Sequence, residues 1–358
     1  MNPAGLIPSP DPIPVAWGWF HVLLLFTFVV HLLVMNTMLG SGIIALLSHL
    51  RGRSETRSDS EDISRTLPYA IAFAVNTGVA PLLFLQVLYG HLFYASSILM
   101  GVYWISIVGI LILAYYSAYL YDFKYETLAG GRVFLIGLSV LIFLFIAFLF
   151  SNNLTLMLEP SRWEIYFERP EGTFLNLMEP TLLPRYLHFV VASVAVGGLF
   201  LAWMGHFKKA GDSRRNGLAQ TERGLKWFSN ATLIQLLVGF WFLLSLPDEV
   251  MTRFMGERLP DTLLFMAALT GVVLSLFFGF NSRLVPATLS LFGTVVLMAL
   301  VRDLVRQAYL DPFFHVSSLR VVPQYSPLAV FLGCLVLGLF VVVWVLRLAA
   351  KAGKEGGR

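Results

Sequence analysis

The chain has 358 residues, of which 57% are hydrophobic and only 13% charged, with one cysteine and a formal charge of +4. Globular domains carry about 25% charged residues, so a water-soluble single core is excluded. One thiol also excludes an intrachain disulfide framework or a multi-thiolate metal centre. The small basic surplus leaves no nucleic-acid partner to expect.

Apolar runs long enough to span a bilayer recur along the whole length. Nine spans are predicted, at 15–48, 66–94, 98–121, 130–156, 184–206, 226–247, 260–281, 284–302 and 325–349, and Cys334 lies within the last. The first is too long, and begins too far from the terminus, for a simple cleaved signal peptide. No long linker, repeat period or low-complexity block interrupts the series. Residues 1–358 therefore read as a single transmembrane domain, an all-α polytopic bundle.

Charge orients it. Arg51, Arg53, Arg57 and Arg65 follow the first span, and Lys208, Lys209, Arg214, Arg215, Arg223 and Lys226 follow the fifth. Arg347, Lys351, Lys354 and Arg358 follow the ninth, whereas the loops after spans four and six are mixed or acidic. The positive-inside rule then places the N-terminus outside and the C-terminus in the cytoplasm. The stretch RGRSETRSDSED (51–62) reads as a solvated charged loop. The largest external loop, 158–183, carries Trp163, Tyr166 and Phe167 beside carboxylates, either as an interfacial aromatic belt, the favoured reading, or as a docking cap.

Polar groups inside the spans are candidates for function because they are costly in lipid. Helical rise puts His31 about 30 Å from Arg51, toward the outer leaflet. The same counting places His21, Gln86, His91, His188, Met266, Asp303 and Arg306 in that outer layer. A proton relay would need titratable groups across the inner half, which is nearly devoid of them. A divalent metal site would favour paired ligands at helical spacing, and none is present. Haem iron needs only one or two strong axial ligands, an apolar slot and a cation for the propionates. PRYLHFVVASVAVGGLF (184–200) matches that need: His188 opens the helix, and Gly197 and Gly198 would admit a porphyrin closely. Met266, at matching depth, makes a His/Met pair possible. An ion pair with Asp303 at i, i+3 is the alternative use of Arg306.

Four segments resemble subunit I of the cytochrome bd quinol oxidase family. HLLVMNTMLGSGIIALL (31–47) resembles its first helix, a ligand histidine followed nine residues later by glycine, here His31 and Gly40. GVAPLLFLQVLYG (78–90) is similar to its Gly-Val-Ala-Thr-Gly-x3-Glu-Phe-Gln-x-Gly stretch. YLHFVVASVAVGGLF (186–200) resembles the helix of the low-spin haem b histidine, again with glycine nine residues on. DLVRQAY (303–309) resembles Glu-Tyr-Gly-Arg-Gln-Pro-Trp, and SNNLT (151–155) echoes Ser-Asn-Leu-Ser.

The resemblance implies a bundle of bd subunit I type in the bacterial cytoplasmic (inner) membrane, with haem b, one low-spin and one or two further, and quinol as substrate. It implies His188 and Met266 as ligands of the low-spin haem, His31 as a ligand in a second haem region, Asp303 in a ligating glutamate's place and Arg306 on a propionate. His91 offers an extra ligand or propionate contact. Departures are equally informative. Gln86 replaces a glutamate, the third span lacks the glutamates near the oxygen site, and the quinol loop is cut to residues 245–261. Oxygen reduction needs buried titratable groups in series, which this chain lacks. The leading expectation is a membrane cytochrome passing electrons between the quinone pool and an external partner such as a periplasmic c-type cytochrome. The alternatives are a divergent terminal quinol oxidase and a haem-free transporter or structural subunit.

Overall fold

A computed structural model describes residues 3–52, 56–128, 130–208 and 211–355. Arg53, Lys209 and Arg358, three of the orienting cations, lie outside the described residues. The helices are α1 (Trp17–Arg51), α2 (Arg57–Leu99), α3 (Gly101–Phe123), α4 (Gly131–Leu158), α5 (Leu182–His206), α6 (Gly211–Leu244), the short α7 (Asp248–Thr252), α8 (Leu259–Phe280), α9 (Leu284–Leu310) and α10 (Tyr325–Glu355). Among the described residues nine of these, all but α7, are long and apolar enough to cross a membrane. The fold is an all-α polytopic bundle, the architecture that satisfies every backbone amide within its own segment when no water is near.

Glycines set the crossings. A Cβ on Gly197 would stand 2.5 Å from the Ser41 backbone nitrogen, so α5 touches α1 backbone to backbone, at Gly40. On the adjoining face of α5, a Cβ on Gly198 would stand 2.6 Å from the Phe228 nitrogen, and one on Gly205 2.5 Å from the Gly217 carbonyl, both on α6. Small residues allow such approach where dispersion, not water exclusion, drives helix association. This corrects the expectation that Gly197 and Gly198 floor a porphyrin: neighbouring helices fill that space.

The charged segment 51–62 is corrected as well. From Arg57 onward it is the first turns of α2, and Asp59 is buried beneath Arg223, whose Nε and Nη2 each donate to it at 2.7 Å. Asp62 accepts from Lys208 at 2.6 Å and Gln220 at 3.0 Å. These contacts tie the start of α2 to the α5–α6 hairpin.

At the opposite end, termed outer after the charge pattern, the connection between α4 and α5 folds onto the bundle. Trp163 is buried and its indole N–H donates to the Leu156 carbonyl at 2.8 Å. It is therefore a core residue, not part of an interfacial belt, while Tyr166 and Phe167 are exposed. Ser151, Asn152 and Asn153 are buried where α4 ends. Asn153 bonds Ser96 and Ser97 of α2, and Asn152 accepts from the Asn176 amide. The described part of α10 is exposed along its apolar stretch.

Candidate functional site

A cavity of about 210 Å³ lies among α1, α5, α6, α8 and α9, with a wall that is mostly aliphatic and aromatic. Asn36 from α1, Arg185 and His188 from α5, Gln235 from α6, and Met298 and Arg302 from α9 give it chemistry, beside the hydroxyls of Thr232, Ser275 and Thr294. His188 falls one helical turn after Arg185, so both point to the same side of α5. Gly239 opposite leaves room for the imidazole: a Cβ there would lie 3.2 Å from His188 Cε1. The Arg185 guanidinium stacks over Phe242 at 4.9 Å, and that of Arg302 over Phe28 at 4.3 Å. Aromatic faces thus carry part of the cost of holding two cations beside an apolar chamber.

Five lining residues hold buried atoms without a partner among the described residues: Asn36 Oδ1, His188 Nδ1, Gln235 Oε1, Arg185 Nε and Ser275 Oγ of α8. Each buried orphan costs about 1–3 kcal/mol. Five around one chamber call for a guest, ligand or water, to complete them.

Beside the cavity, a second polar group joins α1, α2 and α9. Asp303 accepts from Gln307 at 2.7 Å, is paired with His21 Nε2 at 2.6 Å and forms an ion pair with Arg306. The Arg306 guanidinium also lies 4.5 Å over the Tyr89 ring. Asp303 spends both oxygens on neighbouring side chains, Arg306 pairs with it at i, i+3, and neither lines the cavity. The guanidiniums on the cavity wall are those of Arg185 and Arg302.

The remaining candidates are dispersed. Met266 is 53% exposed and turned away from the chamber; the expected His188/Met266 pair is not assembled, and the wall methionine is Met298. Helical geometry gives the reason, because Phe265 and Leu269 share the inward face of α8 and exclude their neighbour. Gln86 is exposed on α2. His91 packs edge-on against Phe314 with centroids 4.6 Å apart, and its Nε2 is buried without a described partner. His31 packs on Gly78 of α2 with Nδ1 3.1 Å from the Ala74 carbonyl, away from the cavity wall.

Sequence reasoning missed Asn36, Gln235, Met298, Arg185 and Arg302. The arginines close the ends of their spans, where cations ordinarily meet headgroups. Asn36 and Gln235 carried a usable signal as uncharged amides in the middle of apolar runs. No protein-family profile, curated protein or solved structure matches this chain.

Proposed function

We propose that the chain is a haem-b-binding membrane cytochrome of a bacterial inner membrane, divergent from cytochrome bd subunit I. In this reading it passes electrons between the quinone pool and an external redox partner such as a c-type cytochrome. The observation that carries this reading is the unpartnered Nδ1 of His188 on an apolar chamber that also holds Arg185 and Arg302. An imidazole is a strong axial ligand, a thioether a good second one, and paired cations suit propionate carboxylates. His188 and Met298 would hold the iron, and Arg185 and Arg302 the propionates. A bound haem supplies reversible one-electron exchange.

The protein's own contribution is binding and environment. The aliphatic and aromatic wall keeps water from the ligands, and Phe242 and Phe28 hold the two guanidiniums in place. Asn36 and Gln235 offer hydrogen bonds to the guest or to water beside it. Met298 in place of a harder ligand would favour the ferrous form of a bound haem and raise its potential.

The test is a pyridine haemochrome assay with a reduced-minus-oxidised spectrum of the purified protein. A low-spin b-type signal is expected. Protein purified without haem under haem-replete expression would sink this reading and leave a haem-free transporter or structural subunit.

A further inference from the structure

Between the cavity and the outer solution lies a buried polar file that the electron-transfer reading leaves unused. Arg185 Nη2 donates to Thr181 Oγ1 at 3.2 Å. The Thr181 hydroxyl is 2.8 Å from each oxygen of Glu179. Asn176 then joins Glu179 to Glu159: its carbonyl accepts from the Glu179 amide at 3.2 Å, and its side chain donates to Glu159 at 2.8 Å. Glu179 and Thr181 are buried, whereas Glu159 is half-open and faces Arg162 at 3.7 Å. Arg185 is 6% exposed, lines the cavity and keeps Nε unpartnered. The file therefore ends on a cation that any guest in the chamber meets.

We infer that Glu179, coupled to the cavity through Thr181 and Arg185, takes up a proton from the outer solution when an electron arrives there. The inference rests on the haem reading of the cavity. Its physical basis is charge compensation. With the guest oxidised, the Glu179 carboxylate balances the Arg185 cation. An added electron beside Arg185 weakens that balance, and the proton affinity of Glu179 rises. By linkage, the proton and the electron favour each other equally. One electron enters from a quinol-class donor, one proton from outer water binds a Glu179 oxygen, and both leave when an external haem partner is reduced. No covalent bond to carbon changes.

The groups facing Glu179 support this. Arg185 from α5, Tyr309 from α9 and Glu159 after α4 interact with one another and with Glu179 electrostatically, and Arg302 acts on Arg185 from α9. Burial pushes the Glu159 carboxyl up from its ordinary value.

The experiment is a redox titration of the full-length haem-loaded protein between about pH 5 and 8. In the native protein the midpoint potential should fall as pH rises, with a slope approaching one proton per electron. Glu179→Gln keeps the hydrogen bond to Thr181 and should flatten that slope while leaving the absorption spectrum unchanged. A native potential independent of pH, or a slope untouched by Glu179→Gln, overturns the inference while the haem assignment stands. A preparation without haem overturns the underlying reading instead. Redox-difference infrared spectroscopy on the unmutated protein covers the case of a variant that fails to fold. A protonated-carboxyl band must appear on reduction, and its absence is equally decisive.

Discussion

At the scale of the residue, His188 and Arg306 illustrate two uses of a polar group near the outer end. His188 Nδ1 has no described hydrogen-bond partner and the side chain lines a chamber; Arg306 is consumed by Asp303 and Tyr89. His188→Ala should abolish the low-spin b signal with the protein still folded, read by the reduced-minus-oxidised spectrum. Met298→Leu should alter the spin state or potential. Met266→Leu, at a surface position, should leave both unchanged and shift stability by less than about 0.5 kcal/mol. An unchanged spectrum in Met298→Leu together with a changed one in Met266→Leu would reverse this ligand assignment. Arg306→Ala removes one partner of a buried ion pair and should cost about 3–5 kcal/mol. Thermal unfolding in detergent measures it, and haem per folded molecule should stay constant because Arg306 does not line the cavity.

At the scale of the element, two features are decisive, the glycine crossings and the outer cap. Gly197→Val drives a side chain into the backbone of α1 and should cost at least about 1–3 kcal/mol, the range for overpacking. Gly109→Ala, on an open face of α3 with nothing within 4 Å of the added carbon, is the matched control and should be neutral. Thermal scans of the two variants make the comparison. In the cap, burial favours the neutral form of Glu159 and raises its folded affinity for the proton. The sign follows from linkage. The stabilising contribution is complete below the ordinary carboxylate pKa and is lost as pH climbs through the raised folded value. Amide exchange in residues 160–181 should therefore quicken over that window in the native protein, and Glu159→Gln should remove the trend.

At the scale of the whole molecule, the candidate groups gather toward the outer end. The loop 158–183 carries five glutamates against two arginines, and Glu164, Glu168 and Glu171 are exposed on it. Such a surface steers a basic partner at long range, an effect that salt screens. Quinol-dependent reduction of an external c-type cytochrome by the native complex should thus slow as ionic strength rises, with little oxygen uptake. Stopped-flow reduction rates across a salt series and an oxygen electrode test the two halves. Rapid cyanide-resistant oxygen consumption would favour the terminal-oxidase reading.

The sequence by itself determined the solvent, the class and the elements. Hydropathy is additive along the chain and a bilayer has one thickness, so span positions follow from composition alone. It also named His188, which lies on the cavity wall, among its candidate side chains, and it offered the Arg306–Asp303 pair through its i, i+3 spacing. Tertiary structure decided what faces what. Met266 and Met298 are equally plausible as letters, and only the rotation of α8 and α9 about their axes places one outside and the other on the chamber wall. Gly197 and Gly198, after His188 on α5, looked like a porphyrin slot. Packing instead brings Gly40 against Gly197, and sets His31 on Gly78 and His188 on Gly239. Arg185 and Arg302 read as ordinary helix-end cations until α5 and α9 converge on the cavity. Helix rotation and crossing depend on contacts between residues far apart in the chain, which no local pattern encodes.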